Sequence, residues 1–242
     1  MKLAILSDIH GNYDALTAVL KDLETKNVDR LISLGDNVGY GPEPKKVLDE
    51  LIARNVFSVQ GNHEKAMFDS SVYDGLNFQA QENNDAIRAL LSKEHLHYCR
   101  NLTAYHVVEN TRFVHGFPPS STDIYLSEAT DDRVKNFFHK EYEKVTFVGH
   151  THRLGLIAWD GDQFEKRSLQ EGVIVLAATK KYIVNAGSVG QPRTKDKRAQ
   201  YLIWNTQSLE LEVRFVDYDA EACAQKIRNL GWPNAFALRL LS

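Results

Sequence analysis

The sequence predicts an α/β fold: apolar runs alternate with amphipathic helical stretches over residues 3–59, and a second batch of strand-like segments follows. Leu3-Ala4-Ile5-Leu6 reads as a buried strand, after which Ala15, Leu16, Val19, Leu20 and Leu23 fall on one helical face. Asn12 or Asp14 is placed to cap that helix, and Asn27 closes it before the strand-like Leu31-Ile32-Ser33-Leu34. Val47, Leu48, Leu51 and Ile52 then repeat the helical spacing, and Val56 to Val59 reads as a strand ending at Gly61. Repeated strand–helix–strand units argue for a parallel sheet.

Residues 65–105 differ in texture, with polar helical stretches such as Ala80 to Leu91 and no convincing strand; a helical insertion shaping substrate access is expected there. Arg112-Phe113-Val114 and Val145 to Val148 are further strand candidates. Beyond them, Leu156 to Trp159, Val173 to Leu176, Tyr182 to Val184, Tyr201 to Trp204 and Leu209 to Val216 predict a second, largely antiparallel sheet. A closing helix around Ala220 to Leu230 meets its stop signals at Gly231 and Pro233. With no internal repeat or low-complexity linker, residues 1–242 are expected to form a single domain.

Composition narrows the function class. The 242 residues are 43% hydrophobic and 25% charged, and no stretch approaches the roughly 20 apolar residues of a membrane span. Leu3 to Leu6 is too short for a signal-peptide core and runs into Ser7-Asp8, so a cytoplasmic location is expected. Cys99 and Cys223 form no CxxC pair and are expected to be buried thiols in a reducing compartment. The net charge of −3 lacks the basic excess of a non-specific nucleic-acid binder.

Chemistry is concentrated where the strands end, because open α/β sheets gather ligands beyond the carboxyl ends of their strands. Five such endings carry ligand-type residues: Asp8-Ile9-His10-Gly11-Asn12, Gly35-Asp36-Asn37, Gly61-Asn62-His63-Glu64, His115-Gly116 and Gly149-His150-Thr151-His152. Each is weak alone; together they supply carboxylate, imidazole and amide donors on turns repeatedly containing glycine.

In order and approximate spacing these blocks resemble the calcineurin-like metallophosphoesterase superfamily. The segment Asn185-Ala186-Gly187-Ser188-Val189-Gly190-Gln191-Pro192 is similar to a later loop of its small prokaryotic phosphodiesterase-type members. The resemblance implies a four-layer αββα sandwich, two β-sheets flanked by helices. Carried over by motif, it implies that Asp8, His10 and His152 bind one divalent metal ion, that Asn62, His115 and His150 bind another, and that Asp36 bridges the two. A bridging carboxylate can hold two cations about 3.5–4 Å apart, and mixed nitrogen and oxygen ligation suits Mn, Fe, Zn or Ni, with Mn favoured. Such a pair acidifies a shared water, and the resulting hydroxide can attack phosphorus. By the same resemblance His63 faces the substrate and serves as the catalytic acid at the leaving oxygen. His95, His97, His106 and His139 lack ligand-like neighbours and are read as surface or satisfied histidines. Glu64 is read as capping or bonding the turn after His63, and Asn12 either orients the first loop or caps the helix.

Departures from neighbouring families bear on substrate. Ser/Thr protein phosphatases and symmetrically cleaving dinucleoside tetraphosphatases carry a Gly-Asp-x-x-Asp-Arg-Gly block, whereas this chain reads Gly35-Asp36-Asn37-Val38-Gly39-Tyr40-Gly41. The second Asp, which would orient the catalytic His, and the Arg, which would clamp phosphate, are missing. Arg193 and Tyr40 are candidates to replace that phosphate contact. The expected substrate is a small phosphodiester or nucleotide-type molecule. The alternatives are hydrolysis of a dinucleoside polyphosphate and a non-catalytic metal-binding scaffold.

Overall fold

A computed structural model describes residues 1–242. The first part alternates β1 (Lys2–Leu6), α1 (Tyr13–Leu23), β2 (Arg30–Ser33), α2 (Pro44–Ala53) and β3 (Phe57–Ser58). Four helices follow: α3 (Asn62–Ala66), α4 (Ser70–Asp74), α5 (Phe78–Leu90) and α6 (Lys93–Asn101). Next come β4 (Tyr105–Val108), β5 (Thr111–Val114), α7 (Asp131–Lys140) and β6 (Val145–Val148). The remainder comprises β7 (Gly155–Trp159), β8 (Phe164–Ser168), β9 (Gly172–Val175), β10 (Lys181–Asn185), β11 (Ala199–Asn205), β12 (Glu210–Val216), α8 (Ala220–Asn229) and α9 (Asn234–Leu241).

The strands form two six-stranded mixed sheets, ordered β3-β2-β1-β11-β12-β9 and β4-β5-β6-β10-β7-β8. In the first, β1, β2 and β3 are parallel, as their helical crossovers require. The second has its own parallel set, β5, β6 and β10. The expectation of a separate antiparallel sheet built from the later strands is corrected here. Those strands divide: β9, β11 and β12 extend the first sheet, while β7, β8 and β10 extend the second. Strand periodicity reports burial but not partner, so it could not reveal this division.

Alternation along β1 explains the layering. Leu3 and Ile5 point between the sheets, where they join Phe113, Phe147 and Trp204, whereas Ala4 and Leu6 face α1 and α2. On the far side, Val134, Phe137 and Phe138 of α7 cover Val148, Ile157 and Ile183. Helix, sheet, sheet and helix are thus four layers, matching the expected sandwich. Three pieces of structure lay outside the expected elements. Strand β8 is nearly all exposed and polar, and edge strand β4 has lining residues only half covered, so neither shows the apolar pattern of a buried strand. Helix α7 carries a Thr130 cap and apolar residues at helical spacing within a mostly charged sequence.

Phe147 lies fully buried between the sheets, stacked on Phe113 at 5.7 Å and tilted 6.0 Å from Trp204. Phe147→Ala is expected to cost about 3–5 kcal/mol in denaturant unfolding. Val175→Ala, at a position 69% exposed, should change stability by no more than about 0.5 kcal/mol. Equal losses for the two would contradict the placement of the core.

Candidate metal centre

The loops after β1, β2 and β3 in one sheet, and after β5 and β6 in the other, converge on one point. Asp8, His10, Asp36, Asn62, His63, His115, His150 and His152 are all buried there. Asp8, His10, Asp36, His150 and His152 have left-handed backbones, with φ between 50° and 67°. That conformation is rare outside glycine, and Asp and His are among the residues that tolerate it.

Four histidines each commit one ring nitrogen to a backbone carbonyl. His10 Nδ1 donates to Val38 (3.0 Å), His152 Nδ1 to Gln191 (2.7 Å), His115 Nδ1 to Leu34 (2.8 Å) and His150 Nε2 to Asp123 (3.1 Å). A carbonyl only accepts, so the second nitrogen of each neutral ring carries a lone pair. Those second nitrogens face one another: His10 Nε2 lies 3.0 Å from His152 Nε2, and His115 Nε2 lies 3.2 Å from His150 Nδ1. Asn62 Oδ1 is 3.2 Å from His115 Nε2. Asp8 Oδ1, buried and without a hydrogen-bond partner, lies 3.1 Å from His152 Nε2. Asp36 Oδ2 sits 3.8 Å from His10 Nε2 and 3.3 Å from His115 Nε2.

Ring nitrogens this close need a shared proton or a cation between them, and this donor set of imidazoles, carboxylates and an amide fits divalent cations. Asp8, His10 and His152 form one possible cluster, and Asp36, His115 and His150 form another. His63, expected to stay off the metal, also falls within reach of His10 and Asp36.

Charge balance points the same way. Burial opposes ionisation of Asp8 and Asp36, yet His152 beside Asp8 and His115 with His63 beside Asp36 hold both carboxyls below their ordinary range. Burial would lower His115, but the Asp36 charge pushes it up to about 9. Burial, then the positive charge of His115, pulls His150 down to about 3. The two carboxylates stay ionised and draw positive charge to the nearest acceptor. His63 is lowered by burial against the pull of Asp36.

Surrounding groups fix these loops. The Glu64 carboxylate accepts four backbone N–H bonds: from Asn37 (2.7 Å) and Val38 (3.3 Å) on Oε1, and from Asp36 and Gly61 (both 3.0 Å) on Oε2. Burial and the Asp36 charge push its carboxyl up to about 7, against the pull of those N–H groups. Gly61 approaches so closely that a Cβ there would come within 2.1 Å of Asp36 Oδ1. Asn12 fills both roles read for it: Oδ1 accepts from Ala15 N–H (3.0 Å) as the cap of α1, and Nδ2 donates to Gly190 O (2.9 Å). His63 donates its backbone N–H to Asp36 Oδ1 (2.9 Å), and its carbonyl accepts from Asn84 Nδ2 (2.8 Å). Its ring meets Tyr40 edge-on at 4.6 Å, and its Nδ1 has no partner.

The cluster opens into a cavity of about 200 Å³ lined by Asp36, Asn62, His63, His150, His152, Tyr40, Tyr125 and Arg193. Arg193 and Tyr40 therefore do reach the site. Tyr125, stacked on His150 at 3.8 Å, gave no signal in the sequence because it belongs to an irregular loop. The four other histidines lie elsewhere: His95 pairs with Asp49 (2.8 Å), His97 and His106 line a separate surface cleft, and His139 packs on Trp159 (5.4 Å). Cys99 and Cys223 are buried free thiols, as expected.

The family model described as "Calcineurin-like phosphoesterase superfamily domain" matches residues 1–209. An uncharacterised protein of Methanocaldococcus jannaschii is 32% identical over 232 residues, spanning 93% of this chain and 91% of its own. Serine/threonine-protein phosphatase 2 of Escherichia coli is 28% identical over 163 residues, which is 58% of this chain and 73% of that protein. The crystal structure of a metallophosphoesterase from Sphaerobacter thermophilus superposes with a TM-score of 0.85 at 32% identity, covering 99% of this chain and 98% of that one.

Glu64→Gln puts an amide NH₂ against backbone N–H donors. The substitution is expected to cost about 1–3 kcal/mol in unfolding and to weaken Mn²⁺ binding about 10–100-fold by calorimetry. Wild-type affinity in this variant would show that the carboxylate does not hold the loops.

Proposed function

Because the chain belongs to the calcineurin-like phosphoesterase superfamily and is a phosphoric ester hydrolase, we propose that it hydrolyses a small phosphodiester or nucleotide-type substrate at a dinuclear metal centre. The observation that carries this reading is the pair of buried donor clusters meeting at Asp36. Asp8, His10 and His152 would hold one cation, Asn62, His115 and His150 the other, and the Asp36 carboxylate would serve both. Divalent cations supply Lewis acidity there, neutralising phosphoryl charge and lowering the pKa of water. This mixed donor set suits Mn, Fe, Zn or Ni without selecting among them, and Mn²⁺ is the ion we favour.

The remaining work belongs to side chains that line the cavity. His63 is held at both ends of its backbone and lines the cavity. We assign it to the leaving oxygen, which it stabilises with a ring N–H or protonates as the ester bond breaks. Tyr40 and Arg193 offer a phenolic hydroxyl and a guanidinium to the phosphoryl oxygens, in place of the arginine missing after Asp36. The second reading, a phosphomonoesterase acting on phosphoprotein, is favoured by the likeness to the Escherichia coli protein phosphatase. The cavity volume of about 200 Å³ favours the small ester. No helix is long and apolar enough to cross a membrane.

With Mn²⁺, the purified chain is expected to turn over bis-p-nitrophenyl phosphate faster than p-nitrophenyl phosphate, diadenosine tetraphosphate or a phosphoserine peptide. His63→Gln should retain metal and lose about 10²–10⁴-fold in kcat, most with poor leaving groups. No turnover of any substrate by metal-loaded protein would refute the reading, and fastest turnover of the peptide would favour the second one.

A further inference from the structure

Next to the metal cavity lies a recess of about 500 Å³ whose lining is dominated by three cations, Arg193, Lys197 and Arg239. It shares Tyr40, Asn77, Tyr125 and Arg193 with the cavity over the metal cluster, so the two adjoin. The lining holds no Asp or Glu to neutralise these three cations. Elsewhere Arg198 pairs with Asp196 and Glu171, and Arg214 with Asp22 and Glu212. Arg193 Nε is buried and has no hydrogen-bond partner. In a chain of net charge −3, three cations around one recess are a local concentration of positive potential, which attracts and holds anions.

The recess is also held in register with the chemistry. Arg193 donates its backbone N–H to the His152 carbonyl (3.3 Å). Helix α9, which carries Arg239, packs Phe236 on Tyr40 (5.0 Å), and the Tyr40 ring lies 4.7 Å from His10. Burial and the neighbouring Arg239 charge hold the Lys197 ammonium below its ordinary pKa.

We propose that this recess binds a second phosphoryl group of the substrate, carried by the same molecule as the ester cleaved at the metal cluster. The Arg239 guanidinium fork and the Lys197 ammonium supply donors for the oxygens of a terminal phosphate and match its dianionic charge, while Arg193, which lines both cavities, stands between the two phosphoryl positions. The substrate class is therefore a phosphodiester or nucleotide bearing a further terminal phosphate. This inference rests on the hydrolase reading above and narrows it.

The test compares two dinucleotides that differ only in a 5′-phosphate, pApA and ApA, with Mn²⁺-loaded protein. In the wild type, kcat/KM and the calorimetric affinity are both expected to favour pApA by about 10–100-fold. The double variant Lys197→Ala/Arg239→Ala should bring both ratios close to one, and Lys197→Arg should restore most of the preference. Arg193→Lys, which keeps charge but loses the fork, gives a second arm with an intermediate ratio. A ratio near one in the wild type, or an undiminished ratio in a folded double variant, would overturn the phosphate recess. Binding preference without cleavage of either dinucleotide would support the recess and count against the hydrolase reading alone.

Discussion

Four imidazole nitrogens and two carboxylates are forced to meet in one buried volume, and most of the local structure serves that meeting. Each ring is oriented by a backbone carbonyl bonded to one nitrogen, which leaves the other nitrogen facing the cluster. Left-handed backbone at five of the ligand-type residues costs about 1–3 kcal/mol each. Such strain persists only where surrounding contacts over-determine it. The Glu64 carboxylate, bonded to four N–H groups from two loops, is one such contact. The Asn12 bridge from α1 to the Gly190 loop is another.

The architecture explains why the cluster needs the whole sandwich. Asp8, His10, Asp36, Asn62 and His63 follow strands of the first sheet, while His115, His150 and His152 follow strands of the second. The contact of Asp36 with His115 at 3.3 Å and that of Asp8 with His152 at 3.1 Å both cross the seam between sheets. The site therefore reports on the packing of Phe113, Phe147 and Trp204 beneath it. A cation held there would join the two sheets at one end, so metal binding and global stability should be coupled.

Much of this was legible in the sequence because the ligand-type residues sit directly after apolar runs, where a strand's end fixes their position. Asp8, Asp36, Asn62, His115 and His150 could be placed by that rule alone, and the structure brings them within one cluster. Roles that depend on tertiary neighbours were not legible. Glu64 gives no sign in sequence that it clamps the Asp36 loop, because its partners are backbone N–H groups of another segment. Tyr125, Lys197 and Arg239 come from an irregular loop, the segment after Pro192 and the last helix, which only the fold unites. The division of the later strands between two sheets was hidden for the same reason: a strand's own pattern does not name its neighbour.

The dinuclear centre is tested most directly by metal content. Protein loaded with Mn²⁺, dialysed and measured by plasma mass spectrometry should retain two ions per chain, and Asp36→Asn should retain fewer than one, since the shared carboxylate contributes to both positions. A wild-type protein that retains no ion, or an Asp36→Asn variant that retains both, would contradict a metal pair organised around Asp36.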